Sequence, residues 1–117
     1  MSSARYISLL MSSRNQAHTF HLLTTSFAMH KALQDYYEGI VPLLDDWAEA
    51  YMGKYGRFPK VKIAQRVSSD PKQSAKYFRG LLASLRKLKL PKDTYLQNIQ
   101  DEITALIRST LYKLTLK

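Results

Sequence analysis

Apolar residues recur at three- and four-residue steps along most of this chain, and that spacing predicts helices rather than strands. Tyr6, Ile7, Leu10, Ala17, Phe20 and His21 form one stripe, which places a first helix from about Ala4 to Leu23. Thr24, Thr25 and Ser26 interrupt it, and Ser26 or Thr25 suits the N-cap of a second helix. That helix is expected from about Phe27 to Met52, with Leu33, Tyr37, Ile40, Leu44, Trp47 and Tyr51 inward. Pro42 cannot donate to the Glu38 carbonyl, so a kink is expected there, and Gly53, Gly56 and Pro59 end the helix.

Residues 54–68 read as a crossover with one short helical turn around Val61 to Arg66. Ser69-Asp70-Pro71 has the form of an N-cap followed by proline, opening a third helix with Phe78, Leu81, Leu82, Leu85 and Leu88 inward. A fourth begins near Asp93-Thr94, where Thr94 and Gln97 have capping-box spacing. Leu96, Ile99, Ile103, Leu106, Thr110 and Leu114 form its heptad-like seam. The short first link makes helices one and two antiparallel, and the long crossover lets helices two and three run parallel. The expected fold is an all-α four-helix bundle of one domain, residues 1–117, with a looser array completed by assembly as the alternative.

Composition narrows the chemistry. The 117 residues contain no cysteine, which excludes a disulfide scaffold and thiolate ligation or catalysis. No apolar run reaches the ~20 residues of a membrane span, and the Ser- and Arg-bearing start continues the periodicity of the first helix rather than forming a separate transit segment. No glycine-rich phosphate loop or catalytic nucleophile arrangement is visible. The net charge is +9, but it is not spread evenly. Lys54 to Asp93 holds twelve basic residues against Asp70 and Asp93, while the remainder is nearly balanced. Lys72, Lys76, Arg79, Arg86 and Lys87 share the outward side of the third helix and its start, the composition of a surface that contacts phosphates without reading sequence. A solubilising face has the same composition.

The stretch His18 to Glu49 contains all three histidines and five of the nine acids. Asp45 and Glu49 are one helical turn apart and can share a cation, although such a pair also describes a solvated helix surface. His30 lies on nearly the same side, and imidazoles with carboxylates suit iron or a similar divalent metal. Fifteen residues, however, separate His30 from Asp45 by about 22 Å along a helix. One chain cannot bring them to a single ion, whereas a two-fold dimer with antiparallel second helices can, and does so twice. Trp47, Tyr36, Tyr37 and Tyr51 read as core, and Asp46, Asp101 and Glu102 as solvent-facing.

In order, and for the last three also in spacing, His21, His30, Asp45 and Glu49 resemble the ferroxidase ligands of Dps-type mini-ferritins. HLLTTSFAMHKALQDYYEGI and YLQNIQDEITALIRSTLYKL are similar to segments of small ferritin-like proteins of bacteriophages, a resemblance covering helices one, two and four. Leu22 stands where those proteins usually have Trp, and nine residues, about three fewer than usual, separate His21 from His30. His18 sits where an ungapped match would place the first histidine, which leaves His18 and His21 as alternative ligands. Glu-x-x-His, the marker of an intra-bundle di-iron centre, does not occur. The resemblance implies a ferritin-like bundle, a homo-oligomer built on two-fold dimers, oxidation of ferrous iron at inter-subunit sites and DNA held on the basic surface. It also implies a bacterial or infected-cell cytoplasm, or a virion, as the setting. The alternative is a non-enzymatic phage structural or interaction protein that keeps the helices without metal chemistry.

Overall fold

Ser26 begins the longest element of the protein: its side chain accepts a hydrogen bond from the Met29 amide, and from there α2 runs over Phe27–Tyr55. In this computed structural model, which describes residues 2–117, α1 is Ser2–Leu23, α3 Ser74–Arg86 and α4 Thr94–Lys113. Every regular element among the described residues is helical. α2 continues unbroken through the exposed Pro42 and past Gly53. It stops at Gly56, whose φ of 93° takes the chain out of the helix while its amide still donates to the Met52 carbonyl.

α1 packs on α2 and α3, and α4 packs on the same two helices, so α2 and α3 occupy opposite corners. Their side chains meet across the centre, where Tyr36 and Phe78 make an edge-to-face contact with centroids 4.7 Å apart. The core is Leu10, Phe20, Leu33, Ile40, Trp47, Leu96, Ile103 and Ile107, all fully buried. Burying polar groups here requires partners. Tyr36 hydroxyl finds one in Ser13 Oγ at 2.7 Å, and that serine also bonds the Leu10 carbonyl. Burial pushes the Tyr36 phenol well above its usual pKa, so the group stays a neutral hydrogen-bonding partner.

The link from α2 to α3 contains no helical turn at Val61 to Arg66; it is extended until a 3-10 turn at Pro71–Gln73, capped by Asp70. The sequence signal failed here because α1 supplies side-chain partners that a short helix would not need. Lys62 and Ala64 amides donate to Ser8 and Ser12 hydroxyls, and the Ser68 amide donates to Gln16 Oε1 at 2.7 Å. Gln16 Nε2 in turn donates to the Ser68 carbonyl. The link therefore ascends α1 in step with the helix, returning the chain to the α1–α2 turn, where Ser74 lies against Met29.

The expected Thr94/Gln97 capping box does not form. Asp93 takes the N-cap position without a side-chain cap, because its carboxylate is drawn off to Lys54 and to the Tyr55 hydroxyl. Those two bonds join the end of α2 to the start of α4 and hold the Asp93 carboxyl down at about 2. A folded-state value below the unfolded 3.8 means that the native protein binds fewer protons, so this contribution is complete above about pH 4 and is lost as pH falls towards 2. Asp93→Asn should flatten that segment of the stability–pH curve, measured by urea denaturation at several pH values.

Candidate metal-ligand and phosphate-contact surfaces

The α1–α2 turn brings His21 and His30 face to face, their rings stacked with centroids 3.7 Å apart and planes 19° from parallel. Each Nδ1 lies 2.8 Å from the other residue's backbone carbonyl. A carbonyl oxygen only accepts, so both Nδ1 atoms must carry the proton, and in the neutral rings both Nε2 atoms are left with lone pairs. The exchange is reciprocal and closes the last turn of α1 onto the first turn of α2. His21 is 7% exposed, and His30 is half-buried.

His18 adjoins this pair, its ring 6.0 Å from that of His21, but does not share in the stacked exchange. It stacks on Tyr37 with centroids 4.5 Å apart, and Arg14 lies over the same tyrosine ring at 5.5 Å. Loss of hydration, then Arg14 and His21, lowers the His18 pKa. Of the two histidines open as partners for His30, the geometry thus brings in His21. Arg14, His18 and His21 have steps of four and three, a signal of one shared helix edge that the sequence reading left unused.

Asp45 and Glu49 project from α2 into solvent and make no hydrogen bond or ion pair among the described residues. No group of three or more potential metal-binding side chains is assembled within the chain among those residues. Asp45 instead borders an apolar groove of about 450 Å³ between α1, α2 and the extended link, with Met11, Val41, Ala48, Met52 and Phe58 in its walls. A second groove, of about 500 Å³, lies away from the histidines between α1 and α3, with Phe20, Tyr77, Leu81 and Lys76 among its lining residues.

Lys72, Lys76, Arg79, Arg86 and Lys87 are all exposed, and none takes part in an ion pair among the described residues. Because α3 is diagonal to α2, these cations lie across the bundle from Asp35, Glu38, Asp45, Asp46 and Glu49. The charges of α2 and α3 are thus segregated in space, whereas the basic link, with Lys60 and Lys62, runs along the groove that Asp45 borders. No helix among the described residues is long and apolar enough to cross a membrane.

Comparison with known proteins finds similarity to a phage protein and to a family, neither with an assigned activity. It is 27% identical over 114 residues to an uncharacterized 14.6 kDa protein of Enterobacteria phage T4, encoded in the mobD-ri intergenic region. The match covers 96% of this chain and 87% of that protein. No solved structure matches. Residues 21–114, from the first histidine of the stacked pair to the end of α4, match a family of unknown function, and the chain belongs to that family, DUF5856.

Proposed function

We propose that this protein is a Dps-like mini-ferritin that binds and oxidises ferrous iron at sites shared between two chains. The observation that supports this reading is the anchoring of both imidazoles through Nδ1–H to backbone carbonyls. That arrangement fixes a metal-ligating histidine and leaves Nε2 for the ion. His21 and His30 are one half-site. Asp45 and Glu49, one turn apart and without partners in their own chain, are the other. A two-fold pairing of α2 helices brings each half to its complement. The return of the link along α1 supports a ferritin-like topology, since it lets α3 run parallel to α2 at the opposite corner.

Iron is the substrate in this reading. The carboxylates offset the cationic charge and the imidazoles fix the ligand directions. Each ferrous ion gives up one electron; two such electrons and two protons convert one hydrogen peroxide to two waters, with the O–O bond broken. Aerobic or peroxide-driven iron oxidation by the intact protein should fall at least about a hundredfold in Asp45→Ala, as expected when a ligand is removed from a metal site. Equal rates would end the proposal.

A second reading needs no iron. The unpaired cations of α3 support sequence-independent binding of DNA phosphates. If about four phosphates are neutralised, log affinity should fall with log salt at a slope near −3.6. Fluorescence anisotropy with a duplex of arbitrary sequence measures this, and failure to bind at about 50 mM salt excludes it. A structural or interaction role in a phage particle or infected cell stands beside these readings. The histidine exchange, which by itself already joins two helices, supports it, and purified protein that assembles fully yet oxidises no iron is the result that would favour it.

A further inference from the structure

Phe27 is 76% exposed and Leu22 67% exposed, flanking the α1–α2 turn, and they are the two least covered large apolar side chains in the described chain. Within the monomer Phe27 stacks loosely on the His30 ring, centroids 6.2 Å apart, and still leaves most of its surface in solvent. Phe27 follows the Ser26 cap, a position where any polar residue would serve. At the other end of the same helix pair lies the groove walled by Ala48, Met52 and Phe58. Knob and groove share a direction: eighteen residues, five helical turns, separate Phe27 from Asp45, and Ala48 and Met52 lie three and seven residues further along that side.

In an antiparallel pair of helices the numbers of facing residues have a constant sum. Setting His30 of one chain against Asp45 and Glu49 of another therefore sets Phe27 against Ala48 and Met52. We propose that Phe27 of each subunit inserts into the Ala48–Met52–Phe58 groove of a second copy, so that two knobs and two grooves close a two-fold dimer. The inference takes its register from the shared-site reading above, but its apolar surfaces are independent of metal. In the same register Lys31, one turn beyond Phe27, comes opposite the acidic stretch Asp45, Asp46 and Glu49, while the exposed Glu38 meets its own copy at the axis. The closed pairing also uses the acidic edge and leaves the basic edge of α3 outward.

The absence of cysteine gives a clean test. The double variant Phe27→Cys/Met52→Cys should form a disulfide-linked dimer on mild oxidation, whereas each single variant should stay unlinked. Across the two-fold axis, identical positions that far from the centre are much too distant to bridge. An equimolar mixture of the two single variants should link as well. Phe27→Asp should keep its helical circular dichroism, since an acid suits the first turn of a helix, yet dimerise at least about tenfold more weakly in sedimentation. Absence of the cross-link in a protein that sediments as a dimer overturns the knob-in-groove proposal, as does undiminished dimerisation of Phe27→Asp. Cross-linking without iron binding would leave the docking standing and defeat the iron reading. Iron oxidation by a dimer that does not cross-link would do the reverse. A monomer at every protein concentration overturns both.

Discussion

Replacing Trp47 with alanine should cost about 3–5 kcal/mol, the range for truncating a fully buried large aromatic. The single tryptophan is fully buried in α2, edge-on to Tyr6 with centroids 4.7 Å apart and stacked on Tyr51 at 5.3 Å. Its removal leaves a void between α1 and α2 at the point where Tyr51 also stacks on Phe58 of the link. Against the roughly 5–15 kcal/mol typical of a whole domain, that loss brings the protein close to unfolding at ambient temperature. Urea denaturation followed by far-ultraviolet circular dichroism measures it, since the variant has no tryptophan to report. Trp47→Phe should lose far less. The indole N–H is buried without a hydrogen-bond partner, so exchanging it for a ring without a donor removes an unmet polar group along with some packing.

The stripe that identifies Trp47 as core was legible in the sequence, because a helix buried on one side must repeat its apolar residues near every 3.6 positions. For α1 the six residues of the expected stripe are all buried. For α4 the heptad-like seam drifted from the true one. Ile107 is fully buried, whereas Ile99, Leu106 and Leu114 are only partly covered. A seam spaced at 3.5 follows a supercoiled helix, and burial in an ordinary bundle advances at 3.6, which carries the core from Leu106 to its neighbour. For α2 the expected inward stripe took Tyr37, which is only partly covered, where Tyr36 is the fully buried residue, and the partner of the Tyr36 hydroxyl was not legible. Only the packing of α1 against α2 could show that Ser13 satisfies the hydroxyl.

The rest of the hidden information is of the same kind, polar groups whose partners are distant in sequence. Ser8, Ser12 and Gln16 look like interruptions of an apolar stripe, yet they bind the link fifty-odd residues later. Asp93 looks like a helix cap and serves as a tie to Lys54 and Tyr55. For the candidate site, spacing showed that the acids and His30 could not meet in one chain. It could not choose between His18 and His21, because that depends on how the three-residue link aims the end of α1. The reciprocal Nδ1–carbonyl bonds show only that His21 is the histidine paired with His30.

Mixing two inactive variants should restore iron oxidation if the proposed site is divided between chains. His30→Ala and Asp45→Ala homodimers each lack a ligand at both sites, so each should lose most activity. In a mixed dimer one site receives both defects and the other receives neither, because the intact histidines of one subunit meet the intact acids of its mate. Random reassortment makes half the dimers mixed, each with one good site of two, so recovery should reach about a quarter of the wild-type rate. The measurement is the initial rate of ferrous iron oxidation after co-refolding equal amounts of the two variants, with each variant refolded alone as reference. A site contained within one chain predicts no recovery at all, since every chain in the mixture lacks one of its ligands. Recovery by His30→Ala with Asp45→Ala, together with none from His30→Ala mixed with His21→Ala, would further assign both imidazoles to the same half-site. The two histidine variants lack complementary halves, and neither can supply what the other is missing. This pattern of rescue depends on which side chains share a subunit and is unaffected by how much each substitution disturbs stability, provided that the refolded variants retain their helical circular dichroism.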